Sequence, residues 1–141
     1  MKVLFVAGFG PIVSDMPANR AFYQDTLGLP LEGDDTYLST QALDGVKHFA
    51  LWPLAGAAQS CFGTDTWPDD LPTPQTWIEF DVEDVAAATK ELEEQGYRVL
   101  LAAKLEPWGQ TVTRLLGPDG SLVGITYTPH LRQEPAVAAN G

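Results

Sequence analysis

The chain has 141 residues, 45% of them hydrophobic and four of them tryptophan, which favours one packed domain and argues against a disordered chain. Its eight basic and 19 acidic residues give a net charge of −11. We therefore expect neither nucleic acid nor an anionic membrane surface as a partner, because both carry charge of the same sign.

The first half of the chain predicts a strand, a helix and further strands. Asp15 stands where a helix N-cap belongs, Pro17 fits the first helical turn, and Gly28 closes the helix. The pair Asp44-Gly45 indicates a hairpin turn between two later strands. The predicted elements are a strand at 2–13, a helix at 16–27, an extended piece from 29, strands at 36–42 and 46–53, and an ambiguous segment at 55–66 with a short helix at 55–61.

The second half begins after a segment rich in proline and aspartate at 67–75, which we interpret as a linker. Asp84 is the predicted N-cap of its helix, and Gly96 is the predicted residue that closes it. The predicted elements are a strand at 76–82, a helix at 85–95, and strands at 97–102, 111–116 and 121–128.

The two halves share one order of elements. Val13-Ser14-Asp15 matches Val82-Glu83-Asp84 about half the chain length later, which indicates an internal repeat. We predict an α+β fold in a single domain, 1–129, made of two βαβββ modules at about 1–66 and 76–129. Their strands form one curved, eight-stranded sheet whose concave face is a cup open to a ligand. Periodicity is lost at 130–141, where we expect a mobile tail.

The strand at 76–82 carries the first candidate for chemistry. Its alternation places Trp77, Glu79 and Asp81 on the concave face. Glu79 is there either a general base or a cation ligand, with its pKa raised by apolar surroundings, or an acid that is solvated or paired with Arg114.

The remaining candidates are one histidine, three tryptophans and one arginine. His48 is either a second general base or an ordinary core histidine. Arg114 either holds a ligand carboxylate or neutralises Glu79. Indole faces suit flat or cationic ligands, although tryptophans equally fill cores and dimer contacts. The tryptophans assigned to the ligand are Trp52, Trp77 and Trp108.

The single cysteine, Cys61, has no partner for an internal disulfide and no basic neighbour in sequence, so we interpret it as structural. No apolar segment reaches the roughly 20 residues of a membrane span. We expect a cytoplasmic protein.

Motifs in both halves together resemble a known family. They are Val13-Ser14-Asp15 followed by Phe22-Tyr23-Gln24-Asp25-Thr26-Leu27-Gly28-Leu29, then Pro107-Trp108-Gly109 and Gly117-Pro118-Asp119-Gly120. The chain over about 1–129 thus resembles the glyoxalase / bleomycin-resistance / extradiol-dioxygenase superfamily, also called vicinal oxygen chelate. The resemblance implies the paired-module fold and a homodimer. It leaves the activity open, because this scaffold carries lyases, isomerases, dioxygenases and drug-binding proteins.

The resemblance also implies where a metal would be held, by His and Glu on the first and last strands of each module. The chain has Gly8, Trp77 and Gly124 at such positions, and none of them ligates through its side chain. His48 and Glu79 alone are too few for a catalytic metal, which needs about three protein ligands. We therefore expect no metal and no other cofactor.

Two functions follow as hypotheses, beside a third and less specific one, a dimeric binding or regulatory module whose ligand is a metabolite. The first is a metal-independent small-molecule-binding protein of the bleomycin-resistance type, which sequesters an aromatic or cationic ligand in a Trp-lined cup. The second is a lyase or isomerase of the same superfamily, with or without a metal ion, that uses Glu79 or His48 as general base.

Overall fold

A computed structural model describes residues 1–132 of the chain. The strands are β1 (Val3–Val13), β2 (Glu32–Asp34), β3 (Tyr37–Thr40), β4 (Phe49–Pro53), β5 (Thr76–Val82), β6 (Val99–Leu105), β7 (Thr111–Leu116) and β8 (Leu122–Tyr127). The helices are α1 (Met16–Arg20), which continues as a π-helix (Ala21–Thr26), α2 (Leu54–Phe62), α3 (Val85–Glu94) and a 3-10 turn (Pro129–Leu131). The predicted α+β class is confirmed.

All eight strands belong to one sheet in the order β2-β3-β4-β1-β5-β8-β7-β6. Within each half the first strand pairs in parallel with the last, β1 with β4 and β5 with β8. The halves meet where β1 and β5 pair antiparallel. The two predicted modules are therefore two similar half-sheets joined side by side.

Aspartate caps start both long helices, as predicted. The side chain of Asp15 accepts from the backbone N–H of Ala18, and that of Asp84 accepts from Ala87, both at 3.0 Å. Each side chain satisfies an N–H that has no partner inside the helix, which fixes where the helix begins.

The helices cover the sheet from both faces. On the convex face, α1 packs over Leu38, Phe49 and Leu51, and α3 packs over Val82, Leu115 and Ile125. On the concave face, α2 packs through Ala57, Ala58 and Cys61 against Ile12, Ala50 and Trp77. Helix α2 thus closes part of the cup.

Cys61 lies inside this packing. The thiol is buried, and burial raises its pKa to about 11, so it stays protonated at neutral pH. A protonated, buried thiol is a poor nucleophile, which agrees with the structural interpretation.

Several boundaries differ from those predicted. The predicted strand 46–53 begins only at Phe49, so His48 directly precedes β4. Two hairpins follow one another in this region, and the first, β2–β3, turns at residues 35–36, where the Asp34 side chain accepts from the Thr36 N–H at 2.8 Å. The predicted turn at Asp44-Gly45 is present in the second hairpin, β3–β4: the Val46 N–H donates to the Leu43 carbonyl at 3.4 Å, and Gly45 has a positive φ of 91°.

The predicted tail, 130–141, falls partly outside the described residues. Residues 129–131 form the 3-10 turn, and Arg132 Nε donates to Asp81 Oδ2 at 3.0 Å. Residues 133–141 are not among those described. Within 1–132, no helix combines the length and hydrophobicity that crossing a membrane requires.

Candidate functional site

A cavity of about 520 Å³ opens on the concave face of the sheet. All six residues selected from the sequence line it, namely His48, Trp52, Trp77, Glu79, Trp108 and Arg114. The first module supplies two of them and the second supplies four, so the cavity depends on both halves.

An ion pair lies at the centre of the cavity. Glu79, on β5, pairs with Gly8 of β1 and Gly124 of β8, and Gly124 leaves room for its side chain. A Cβ added at Gly124 would lie 2.7 Å from the Glu79 Cγ. Arg114 Nη1 donates to Glu79 Oε2 at 3.1 Å. Of the two interpretations of Glu79, the structure therefore places it in the pair with Arg114.

The second carboxylate oxygen of Glu79 is bound as well. Gln110 Nε2 donates to Glu79 Oε1 at 2.8 Å and to Thr128 Oγ1 at 2.9 Å. The amide oxygen of Gln110 accepts from Trp108 Nε1 at 2.9 Å. Gln110 thus connects the central carboxylate to the indole at the cavity mouth.

The three tryptophans occupy different depths. The Trp77 side chain is buried, and its Nε1 donates to the Ala50 carbonyl at 3.1 Å. Trp52 meets Trp77 edge to face with ring centroids 6.1 Å apart. Trp108 is 55% exposed and lies where a ligand would enter. The cavity wall therefore offers one exposed indole at the surface and two that packing holds in place.

His48 forms a second polar group at the cavity wall. Its Nε2 lies 2.8 Å from the Tyr37 hydroxyl, and its Nδ1 lies 3.3 Å from Gln41 Nε2. Because an amide nitrogen only donates, this network gives His48 a proton on Nε2, which donates to Tyr37.

Burial sets the charge state of both rings. Burial lowers the pKa of His48 below its ordinary value, against the opposing effect of nearby Glu79, so the imidazole is neutral at neutral pH. Burial also raises the pKa of Tyr37, which keeps the phenol protonated. The net charge of the cavity lining is then close to zero, since Glu79 and Arg114 cancel.

Asp81, two residues after Glu79, has a structural role. Its carboxylate accepts from Thr126 Oγ1, Thr128 Oγ1, the Thr128 N–H and Arg132 Nε. These bonds hold the segment after β8 against β5, which brings His130 and Leu131 to the cavity wall.

The residues present do not fit a metal ion. A Cβ at Gly8 would lie 2.8 Å from the His48 carbonyl, and Gly124 has no space beside Glu79. Both Glu79 oxygens already accept from Arg114 and Gln110. In the part of the chain that the structure describes, no three His, Cys, Asp or Glu side chains come close enough together to hold a metal.

Sequence reasoning missed several residues of the cavity wall: Tyr37, Gln110, Thr128, His130 and Leu131. Gln110 directly follows Pro107-Trp108-Gly109, so its position beside this motif was the signal that could have identified it as a cavity residue. Tyr37 meets the cavity through long-range strand pairing, and the residues after β8 meet it through the hydrogen bonds that Asp81 accepts, so no local pattern marks them.

Comparison with known proteins agrees with this architecture. The structure of a glyoxalase/bleomycin resistance protein/dioxygenase superfamily member from Vibrio splendidus matches at 18% identity with a TM-score of 0.58, covering 87% of this chain and 97% of that one. A methylmalonyl-CoA epimerase of Streptomyces coelicolor, in complex with 2-nitronate-propionyl-CoA, matches at 17% identity and a TM-score of 0.55, covering 94% and 100%.

A Legionella pneumophila structure described as an NAD-dependent benzaldehyde dehydrogenase matches at 14% identity and a TM-score of 0.54, covering 84% and 96%. At these identities the likeness concerns the fold alone. No curated protein sequence matches significantly. The family model for the Glyoxalase/Bleomycin resistance protein/Dioxygenase superfamily matches residues 9–125, most of the chain. The resemblance inferred from the motifs is thereby confirmed, and the chain belongs to this superfamily.

Proposed function

We propose that the protein is a metal-independent binder that sequesters an aromatic or cationic small molecule in its Trp-lined cup. One observation carries the proposal: a cavity of about 520 Å³ has indole walls, and its two charged side chains, Glu79 and Arg114, are already paired with each other. Such a site offers apolar and aromatic contact to a ligand, with few polar groups left to react with it.

Of the two ligand chemistries, the aromatic one has the stronger support. A cation in the cavity would need a free carboxylate, and Glu79 already accepts from Arg114 and Gln110. A cation would still be attracted from a distance by the net charge of −11. The net charge therefore favours the approach of a cationic ligand but does not hold it in the cavity.

The test is a titration of the chelator-treated protein with xanthone, a neutral aromatic, and with N-methylacridinium, an aromatic cation, followed by Trp fluorescence. We expect at least xanthone to bind. Trp108→Ala should weaken binding roughly two- to tenfold, the range expected for one aromatic contact of about 0.5–1.5 kcal/mol. Tyr97→Ala, which removes an aromatic residue that is 47% exposed and outside the cavity wall, is the matched control. Absence of binding by both probes would refute the proposal.

A second candidate function is a lyase or isomerase, favoured by the neutral His48 that hydrogen-bonds to Tyr37 at the cavity wall. A neutral imidazole is able to accept a proton from a carbon acid. Within 1–132, the lone pair of His48, on Nδ1, accepts only from Gln41 at 3.3 Å. The two Glu79 oxygens accept at 2.8 and 3.1 Å from Gln110 and the charged Arg114, which makes Glu79 the weaker candidate for a base. Because the donor groups do not fit a metal ion, this candidate enzyme is metal-free.

The second function is tested by deuterium incorporation from heavy water into a panel of carbonyl compounds. Methylmalonyl-CoA belongs in the panel, since a structure of similar fold is an epimerase of that compound. Exchange that is lost in His48→Asn and kept in His130→Asn, at the other cavity histidine, would favour catalysis. Unchanged exchange in His48→Asn would eliminate His48 as the base.

A further inference from the structure

The guanidinium of Arg114 has a hydrogen-bonding group to spare. Its Nε donates to Ser60 Oγ at 2.9 Å and its Nη1 donates to Glu79 Oε2, whereas Nη2 donates to no residue within 1–132. Within 1–132, the one fully buried side-chain polar atom that lacks a hydrogen-bond partner is Glu106 Oε1. Nη2 is therefore not sealed from solvent. Because Arg114 is 1% exposed and lines the cavity, solvent and ligands reach Nη2 through the cavity.

Packing fixes the direction of this free group. The guanidinium carbon lies 4.7 Å from the centre of the Trp52 ring, which covers one face of the plane. Ser60 on α2 and Glu79 on β5 hold two of its three nitrogens from different elements. The donor is thus held in place before any ligand arrives, and little conformational entropy is lost when it binds.

The charges around Arg114 decide which kind of ligand oxygen it donates to. Glu79 already balances the arginine, so a ligand carboxylate would leave one buried negative charge without a partner. A cationic ligand would meet a donor instead of an acceptor. A neutral carbonyl oxygen accepts a hydrogen bond from a charged donor and leaves the net charge of the cavity unchanged.

We propose that Arg114 selects the ligand by donating from Nη2 to the carbonyl oxygen of a neutral, flat aromatic molecule, such as an aryl ketone or quinone. The inference rests on the proposed function, because it names the ligand class of the same cavity. Trp52 and Trp77 contact the rings, and Arg114 binds the oxygen. Arg114 is therefore a specificity-determining residue.

Four probes of similar three-ring outline test the inference by calorimetry at neutral pH. Xanthone has the carbonyl, xanthene has a methylene in its place, xanthene carboxylate adds a negative charge, and N-methylacridinium adds a positive one. We expect xanthone to bind at least about tenfold more tightly than xanthene, as a hydrogen bond from a charged donor predicts. Both charged probes should bind more weakly than xanthone.

Two further measurements connect that preference to Arg114. Arg114→Lys keeps the positive charge but loses the planar donors, and it should remove the preference for xanthone over xanthene. Arg98→Lys, at an exposed position outside the cavity, is the matched control and should retain the preference. In wild-type protein with nitrogen-labelled arginine, the NMR signals of the Arg114 guanidinium should shift with xanthone and not with xanthene, a readout that needs no variant to fold.

The outcomes separate the two proposals. If no probe binds, the proposed function fails. If xanthone and xanthene bind equally, or if the carboxylate binds best, the cavity binds aromatic molecules but Arg114 does not select a neutral carbonyl. An unshifted Arg114 signal in the presence of bound xanthone would overturn the inference in the same way.

Discussion

At the scale of single residues, the two acidic side chains of β5 illustrate how the surroundings decide a role. Glu79 and Asp81 are two positions apart on one strand and face the same side of the sheet. Asp81 is completely buried and accepts four hydrogen bonds that fix the segment after β8. Glu79 accepts from Arg114 and Gln110 at the cavity wall, which makes it part of the binding surface.

The titration of His48 gives a prediction at this scale. Its pKa is lowered by burial, opposed by Glu79 and reinforced by His130. Between that lowered pKa and about 6.5, the unfolded chain binds more protons than the folded one. Stability is therefore fully present above about pH 6.5 and falls as the pH is lowered through this window.

Urea unfolding at neutral pH and near pH 5 measures this effect. We expect the wild type to lose more free energy of unfolding on acidification than His48→Gln, which has no titrating group at the position. His130→Gln, at the neighbouring histidine, should lose nearly as much free energy of unfolding on acidification as the wild type. Equal losses in all three proteins would show that His48 does not cause the pH dependence.

Period-two alternation was enough to predict that Trp77 and Glu79 share the concave face, because strand geometry is local. It was not enough for Gln110 or Tyr37. Gln110 reaches Glu79 across 31 positions of sequence, and Tyr37 reaches His48 across the β3–β4 hairpin, whose loop is longer than the predicted turn. These contacts depend on strand register, which a single sequence constrains weakly.

At the scale of elements, helix starts were predictable and short strands were not. Asp15 and Asp84 cap their helices through bonds to residues three positions on, so the signal lies within one turn. Strand β2 has three residues, all of them exposed, and leaves no hydrophobic pattern to detect. Helix α2 begins at Leu54 and lies in the cup, a position that only its packing against Trp77 and Ala50 explains.

The close approach of β1 and β4 gives a prediction at this scale. A Cβ at Gly10 would lie 2.0 Å from the Ala50 carbonyl oxygen, the same oxygen that accepts from Trp77 Nε1. Gly10→Ala should therefore push β4 away and release the Trp77 indole. We expect a loss of roughly 3 kcal/mol in the free energy of unfolding, at the upper end of the range for overpacking, together with weaker xanthone binding.

Gly45→Ala is the control for that substitution. Nothing lies within 4 Å of a Cβ at Gly45, so the variant should cost only the strain of its positive φ, about 1 kcal/mol. Xanthone binding should stay at the wild-type level. Equal destabilisation by the two variants would contradict the proposed contact between β1 and β4.

At the scale of the whole molecule, the duplication and the surface charge have separate consequences. The repeat predicted the eight-stranded sheet because each module supplies four strands, and the two half-sheets join edge to edge through β1 and β5. The charge says nothing about the fold. It acts on stability, since the net charge of −11 repels itself more strongly in the compact chain than in the unfolded one.

Salt dependence tests this consequence. Raising sodium chloride from about 0.01 M to about 0.15 M shortens the screening length from roughly 30 Å to roughly 8 Å. We expect the urea midpoint to rise with salt at constant slope, because repulsion among surface carboxylates is screened while the buried pair of Glu79 and Arg114 is not. The same salt titration of Arg98→Gln, whose net charge is one unit more negative, should show a larger rise of the urea midpoint. A midpoint that falls with salt would mean that attractive surface pairs, such as Arg20 with Asp35, outweigh the repulsion.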